Sequence, residues 1–237
     1  MKHKNIDVFN KDAELNEGYL YTHTDRLSCK MATQRTMDII LETGELRGRR
    51  VLDLACGDAF YTIRFAEKGC PAQLVATDAA LTAVRLGANE KGSRSIRFLS
   101  ADSHRLPFAK DSFDVVLVQS VLHHDDQPLK IIEEAFRIAP RIIVHEPNGN
   151  NPALKLIEKV SKYHIEHNER SYSTWRMRRW IRRAGGRVVY EKMAGMVPMF
   201  CPDGIAKFLK TVEPGMEAIP GLRLFSCAVY VMVAARK

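Results

Sequence analysis

Short apolar runs alternate with longer amphipathic stretches through the middle of the chain. The apolar runs predict five strands, at residues 50–55, 73–77, 96–100, 113–118 and 141–145. The stretches between them predict helices at residues 58–68, 80–91 and 129–138. Strands of this length separated by helices are typical of βαβ units, in which helices cover both faces of a parallel sheet. The pattern therefore predicts an α/β fold whose ligand site lies at the carboxyl ends of the strands.

The regular alternation of predicted strands and helices ends after residue 145. Residues 152–168 predict one helix and residues 174–184 a second, which Ser173 or Thr174 would cap and which Gly185 and Gly186 would end. Two further strands are expected at residues 187–190 and 228–234. The segment between them is too long for a hairpin turn, so we expect a helix inside it, near residues 205–211.

Composition narrows the class of protein. A chain of 237 residues with 46% hydrophobic and 27% charged residues can bury a core and is not disordered. Five cysteines without a CxxC pair argue against a disulfide scaffold or a zinc ribbon. No apolar run is long enough for a membrane span, and the polar first residues show no secretory signal. We expect a soluble, cytoplasmic protein.

The net charge of +8 is concentrated in one segment. Residues 151–187 contain ten lysines and arginines against three glutamates. Such a segment can contact nucleic acid or an acidic ligand, and it can equally be the solvated face of helices.

The most informative segment follows the first predicted strand. That strand carries Asp53 and is followed by Cys56 and Gly57, after which a helix begins. A glycine there lets a ligand approach the backbone, and the first amides of the helix point to the same place. A dinucleotide fingerprint would need glycine at both Ala55 and Phe60, so a pyrophosphate loop is not expected.

Aspartates recur at the ends of three consecutive predicted strands. Asp53, Asp78 and Asp102 are separated by about one βα unit each. A carboxylate at the end of the second strand can accept hydrogen bonds from both hydroxyls of a ribose. A carboxylate at the end of the third can accept one from an adenine amine. The spacing therefore favours an adenosine-containing ligand.

These segments resemble the class I S-adenosylmethionine-dependent methyltransferases, of the small-molecule, methyltransferase domain 11 type. Residues 53–59 resemble motif I, written D-x-G-x-G-x-G, with Ala55 and Ala59 in place of two glycines. Residues 102–108, 111–116 and 122–124 resemble the patterns D-x-x-x-L-P-F, D-x-F-D-x-V and L-H-H. The resemblance implies a Rossmann-like, doubly wound sheet of seven strands, mostly parallel with the last strand antiparallel. It places helical inserts after strand five and between strands six and seven.

The resemblance also implies S-adenosylmethionine as cofactor, S-adenosylhomocysteine as product, and a set of cofactor-binding residues. The methionine moiety would lie along Asp53, Ala55, Cys56, Gly57 and Asp58. Asp78 would bind the ribose, Ala79 would lie against the adenine, and Asp102 and Ser103 would contact the adenine edge. Gln119 would face the sulfonium, and Tyr19 or Tyr21 would close over the cofactor from an N-terminal lid.

Methyl transfer needs a nucleophile held in line with an already activated C–S bond, in a dry pocket. A phenol or alcohol acceptor would also need a general base, whereas an N- or C-acceptor can react without one. The candidate bases are His124 first, then Glu146, with His123 beside them. We expect O- or N-methylation of a small molecule.

A metal site is not expected. His164 and His167 are three residues apart on a predicted helix, which is a feasible spacing for ligands. No cysteine or aspartate completes a recognisable spacing, so solvent-facing histidines explain the pair better.

The chain is expected to form a single domain with four segments. These are an N-terminal helical lid (1–45), the cofactor-binding core (46–146), a basic helical insert (147–184) and C-terminal strands (185–237) with an apolar insert (191–226). The inserts would contact an amphiphilic or acid-bearing acceptor, resembling a natural product, and the apolar one could form a homodimer face. The candidate substrate residues are Asn148, Tyr163, His164, His167, Tyr172, Met196, Met199 and Phe200.

Two other functions stay open at this point. The basic segment would suit an RNA methyltransferase, although no RNA-binding module is recognisable and nucleic acid is not the expected partner. Asp58 and Ala59 would suit a methyltransferase fold that has lost the activity and serves in binding.

Overall fold

Seven strands form one sheet in the computed structural model, which describes residues 3–16, 18–22, 24–90, 92 and 95–237, apart from the side chains of 3–5, 16 and 163. The strands are β1 (Arg50–Leu54), β2 (Gln73–Asp78), β3 (Ile96–Ser100), β4 (Val115–Gln119), β5 (Arg141–Pro147), β6 (Gly186–Ala194) and β7 (Val229–Arg236). Their order is β3-β2-β1-β4-β5-β7-β6. β7 is antiparallel to both neighbours and the other pairs are parallel. The expected sheet is confirmed.

Helices cover both faces of the sheet. The helices are α1 (His3–Asn16), α2 (Leu27–Leu41), α3 (Phe60–Arg64), α4 (Leu81–Glu90), α5 (Pro128–Ile138), α6 (Pro152–Val160), α7 (Lys162–Glu166), α8 (Thr174–Arg183), α9 (Asp203–Ala218) and α10 (Pro220–Ser226). A π-helical turn, Phe65–Gly69, continues α3, and a 3-10 turn, Leu122–His124, follows β4.

Side chains that alternate along the central strands build two apolar layers. On β4, Val116 and Val118 join the layer that contains α5 and α8, whereas Val115 and Leu117 join the layer that contains α2. Because every residue of β4 is buried, the strand reads as a continuous apolar run, as parallel strands covered on both faces do.

The chain reverses its strand order between β1 and β4. The first half of the sheet is built outward from β1 to β3, and the second half from β4 on the other side of β1. The loops that follow β1 and β4 therefore separate and leave a crevice at the carboxyl end of the sheet. No helix in the described ranges combines the length and the apolar character that crossing a membrane requires.

Two predicted elements were wrong. The single helix at 152–168 is two helices, because Ser161 is extended and its hydroxyl lies 2.9 Å from Nδ1 of His164. A serine that bonds to nearby groups competes with the helical backbone. The strand at 187–190 continues to Ala194 because β7 pairs with it over that length, so the apolar insert begins after residue 194. That insert holds two helices, α9 and α10.

Candidate active site

The loop after β1 turns through three residues with left-handed backbone conformation. Ala55, Gly57 and Ala59 have φ angles of 60°, 56° and 66°. They occupy the positions where motif I has its glycines. The loop thus keeps the left-handed backbone conformation that favours glycine, although two of the three residues are alanine. Each alanine in this conformation costs roughly 1–2 kcal/mol of conformational free energy.

Asp58 connects this loop to the N-terminal segment. Its Oδ2 accepts hydrogen bonds from the backbone N–H of Tyr19 at 2.8 Å and from the hydroxyl of Thr22 at 2.5 Å. The Tyr19 ring lies so close to Gly57 that a Cβ on that glycine would be 2.4 Å from a ring carbon. Asp58, at a variable position of motif I, therefore holds the N-terminal segment over the loop.

A second glycine accommodates Ala59. Gly87 lies on α4, and a Cβ added there would be 2.5 Å from the Cβ of Ala59 and 3.2 Å from the carbonyl oxygen of Asp58. Motif I has a glycine at the position of Ala59, whereas this chain has its glycine opposite, at Gly87 on α4. The close approach of helix and loop is preserved.

Asp78 connects β2 to the same loop. Its Oδ2 accepts a hydrogen bond from the N–H of Gly57 at 2.9 Å, and its Oδ1 accepts one from the N–H of Ala80 at 2.7 Å. A carboxylate can accept about four hydrogen bonds, so further acceptor sites remain for a ligand. Burial raises the pKa of Asp78, and hydrogen bonds from backbone N–H groups oppose that shift.

Asp53 lies on β1 beneath the loop and is buried. The Thr62 hydroxyl donates a hydrogen bond to its Oδ2 at 2.5 Å. Burial raises the pKa of Asp53 to about 7, and the nearby charge of Asp78 acts in the same direction.

The raised pKa of Asp53 predicts a dependence of stability on pH. Above the ordinary pKa of aspartate the unfolded chain ionises, whereas the folded chain keeps the proton until about pH 7, so rising pH favours unfolding. Between about pH 5 and pH 7 the free energy of unfolding should fall about 2 kcal/mol further in the native protein than in Asp53→Asn. Urea unfolding of both proteins measures this difference, and parallel curves would contradict it.

Glu146, on β5, is fully buried under the turn that follows β4. One carboxylate oxygen accepts hydrogen bonds from the N–H groups of Val121 and Leu122, at 3.0 and 2.8 Å. The other accepts one from the N–H of His123 at 3.2 Å and lies 2.6 Å from Nδ1 of the same histidine. Burial raises the pKa of Glu146 to about 7. Its place is beneath the turn, and it does not line the cavity described below.

His123 and His124 stand side by side above this carboxylate, with ring centroids 3.9 Å apart. Nδ1 of His124 lies 3.0 Å from the carbonyl oxygen of His167. Burial lowers the pKa of His123 to about 3 and lowers that of His124 as well. Both imidazoles are therefore neutral at physiological pH.

One cavity of about 330 Å³ joins the loop after β1 to the two histidines. Many of the residues that the sequence analysis singled out line it: Tyr19, Tyr21, Asp53, Ala55, Cys56, Gly57, Asp58, Asp78, Gln119, His123, His124, His164, Met199 and Phe200.

Other singled-out residues lie elsewhere. Ala79, Ser103, His167 and Met196 do not line the cavity. Asp102 is 59% exposed and pairs with His104.

Two further candidates have structural partners instead. Asn148 is fully buried and its amide donates to the carbonyl oxygens of Leu224 and Cys227. Tyr172 packs edge-on against Trp180 and does not line the cavity. The side chain of Tyr163 falls outside the described residues.

Sequence reasoning missed several residues that line the cavity. Thr22, Ser120, Glu158 and Glu169 face it, and no motif marks them. Backbone contacts bring Glu169 to the cavity, because the N–H of the next residue, Arg170, donates a hydrogen bond to the carbonyl oxygen of His123 at 3.0 Å.

Known proteins resemble this chain most clearly in its core. A family model described as "Methyltransferase domain" matches residues 52–141. The demethylmenaquinone methyltransferase of Lactococcus lactis is 31% identical over 99 residues, which are 40% of this chain and 39% of that protein. The match thus spans less than half of the curated relative.

Solved structures resemble nearly the whole chain. Magnesium protoporphyrin IX methyltransferase from Synechocystis, with bound S-adenosylhomocysteine, superposes with a TM-score of 0.69 at 16% identity, over 98% of this chain and 97% of that one. The cyclase SpnF superposes with a TM-score of 0.69 at 19% identity, over 97% of this chain and 94% of that one. These findings confirm the resemblance, and the chain has the class I methyltransferase fold.

Proposed function

We propose, from the class I methyltransferase fold of this chain, that it transfers a methyl group from S-adenosylmethionine to a small-molecule acceptor. One observation supports this most directly. A single cavity joins the loop after β1 and Asp78, where we place the adenosine and the amino-acid tail of the cofactor, to the histidines after β4. Cofactor and acceptor would therefore meet in one continuous cavity.

The cofactor would lie across the carboxyl ends of β1 and β2. The loop of Ala55, Cys56 and Gly57 would contact its methionine moiety, and Asp78 would accept hydrogen bonds from the ribose hydroxyls. Gln119, at the end of β4, would face the sulfonium. Tyr19 would cover the cofactor, since Asp58 already holds that segment at the loop.

The acceptor would lie between the histidines and the apolar insert. Met199 and Phe200 line the same cavity as His123 and His124 and supply an apolar surface. Such a pocket excludes water from the line of transfer. Because both imidazoles are held neutral, they are weak bases, which favours an acceptor that is readily deprotonated or needs no deprotonation. The name of the Lactococcus relative makes quinone-type rings the first acceptors to try.

Replacing Asp78 tests the cofactor site. We expect calorimetry to show micromolar binding of S-adenosylmethionine and S-adenosylhomocysteine to the native protein. Asp78→Ala should weaken both by at least tenfold, which corresponds to about 1.4 kcal/mol, because the ribose loses its acceptor. Asp102→Ala serves as a matched control and should bind normally, since Asp102 points away from the cavity.

Two results would contradict the proposal. If neither ligand binds the native protein, the fold serves another purpose here. If Asp78→Ala binds as tightly as the native protein does, the cofactor lies elsewhere. Formation of S-adenosylhomocysteine with an acceptor panel, followed by mass spectrometry, then identifies the accepting atom.

A further inference from the structure

We propose that His123, His124 and Glu169 bind a divalent first-row transition-metal cation on the acceptor side of the cavity. Each residue offers one ligand atom, and these atoms lie within 4.8 Å of one another. Two imidazoles and a carboxylate are a set that Zn²⁺ and Fe²⁺ bind in proteins, with positions left open for water or substrate. The sequence predicted no metal because no cysteine or aspartate completes a recognisable ligand spacing beside His164 and His167, and it did not connect Glu169 with His123 and His124.

The distances are compatible with coordination. Metal–ligand bonds of about 2.0–2.2 Å place tetrahedral ligand atoms roughly 3.4 Å apart. A cation would therefore draw these atoms together by at most about 1.4 Å from their upper limit of 4.8 Å.

Both imidazoles have the partners that metal-binding histidines have. Nδ1 of His123 lies 2.6 Å from a carboxylate oxygen of Glu146, and Nδ1 of His124 lies 3.0 Å from the carbonyl oxygen of His167. A carboxylate or carbonyl at one ring nitrogen orients the ring and directs the other nitrogen at the metal. The geometry thus assigns Nε2 of each ring to the cation.

Glu169 is held beside the rings by its own segment. The N–H of Arg170 donates to the carbonyl oxygen of His123 at 3.0 Å, and the N–H of Glu169 donates to that of His164 at 2.9 Å. The Glu169 side chain is 16% exposed and lies 3.3 Å from Nε2 of His164. The loop therefore presents the carboxylate to the cavity in a defined position.

The local charge favours a cation. Glu158 and Glu169 line this part of the cavity, and Glu146 lies directly beneath the His123 ring. Lys155 pairs with Glu158 at 2.9 Å. Several carboxylates in one poorly solvated region repel each other, and a divalent cation would compensate their charge.

The position of the site suggests that the cation would activate the methyl acceptor, and this role rests on the proposed function. Ser120 and Val121, which follow β4, line the same cavity, and an acceptor bound there would complete the coordination of the cation. A metal-bound hydroxyl loses its proton more readily than a free one. The acceptor class would then be a phenol, an enol or another oxygen acid that can bind a metal, and no strong base would be required.

Metal titration of tag-free protein, stripped with a chelator, tests the site. We expect one equivalent of Co²⁺, with visible absorption bands of nitrogen and oxygen coordination, and competition by Zn²⁺. Glu169→Gln and His124→Asn should each weaken Co²⁺ binding by at least tenfold. His104→Asn is the matched control and should bind normally, because His104 lies between Asp102 and Asp125 outside the cavity.

Two results would contradict the metal site. One is the absence of stoichiometric Co²⁺ binding to the native protein, and the other is an unchanged Co²⁺ affinity in either folded variant. Circular dichroism identifies folded variants, and the isosteric Glu169→Gln keeps the test decisive if His124→Asn does not fold. Cofactor titration on metal-free protein separates the two proposals, since Co²⁺ binding without cofactor binding would support the metal site and contradict methyl transfer.

Discussion

Replacing Glu146 with alanine is expected to lower the free energy of unfolding by about 4 kcal/mol, since a buried charged network that loses one member costs roughly 3–5 kcal/mol. Three backbone N–H groups and the His123 ring share this one carboxylate, which is fully buried. Removing it leaves those donors in an apolar environment, where each unsatisfied donor costs about 1–3 kcal/mol. Such a loss is a large part of the roughly 5–15 kcal/mol that stabilises a domain.

Urea unfolding measures the effect. Glu42→Ala is a matched control, because the Glu42 side chain is 39% exposed and its partner Arg35 keeps a second carboxylate partner, Glu217. That change should cost less than about 1 kcal/mol. Glu146→Gln keeps one carbonyl acceptor and should fall between the two. If Glu146→Ala costs no more than the control, the carboxylate does not hold the turn after β4.

Gly87→Ala is expected to destabilise the protein by about 2 kcal/mol, within the ~1–3 kcal/mol typical of overpacking. The new Cβ would lie 2.5 Å from the Cβ of Ala59 and 3.2 Å from the Asp58 carbonyl oxygen. Alanine has the higher helix propensity by up to about 1 kcal/mol, which offsets only part of the clash. Because the loop of Ala59 carries the proposed cofactor site, binding of S-adenosylhomocysteine should weaken as well.

A second substitution tests the cause. Ala59→Gly removes the atom that the new Cβ would strike and also relieves the left-handed φ of 66°. The double variant should therefore recover most of the loss, with a coupling free energy of at least about 1 kcal/mol. Thermal and urea unfolding of the four proteins complete the cycle. Additive effects of the two substitutions would show that the cost of Gly87→Ala does not come from contact with the Cβ of Ala59.

The local pattern of the sequence determined the architecture. Apolar runs bounded by turn residues located the strands, and most clearly β2, β4 and β5, because strands that are buried on both faces consist of a continuous apolar run. The predicted boundaries of two elements were wrong because contacts with other residues decided where those elements end. Ser161 broke a helix that its neighbours favour, and pairing with β7 extended β6 to Ala194.

The candidate site was predictable where it follows directly from strand ends. Gly57, Asp78 and Gln119 reach the cavity because the carboxyl ends of parallel strands meet at one edge of the sheet. Asp102 has the same spacing along the chain, yet its side chain turns outward to His104. Spacing along the chain locates a backbone position but does not set the direction of a side chain.

By itself, the sequence determined the α/β fold, the position of the loop after β1 and the identity of the residues at the strand ends. Only the tertiary structure decided that Asp58 holds the N-terminal segment, that Glu146 lies beneath a turn, and that Glu169 meets His123. The physical reason is the range of the interactions. Periodicity reports burial within one element, whereas these three contacts join residues more than twenty positions apart, through hydrogen bonds that form when the elements pack.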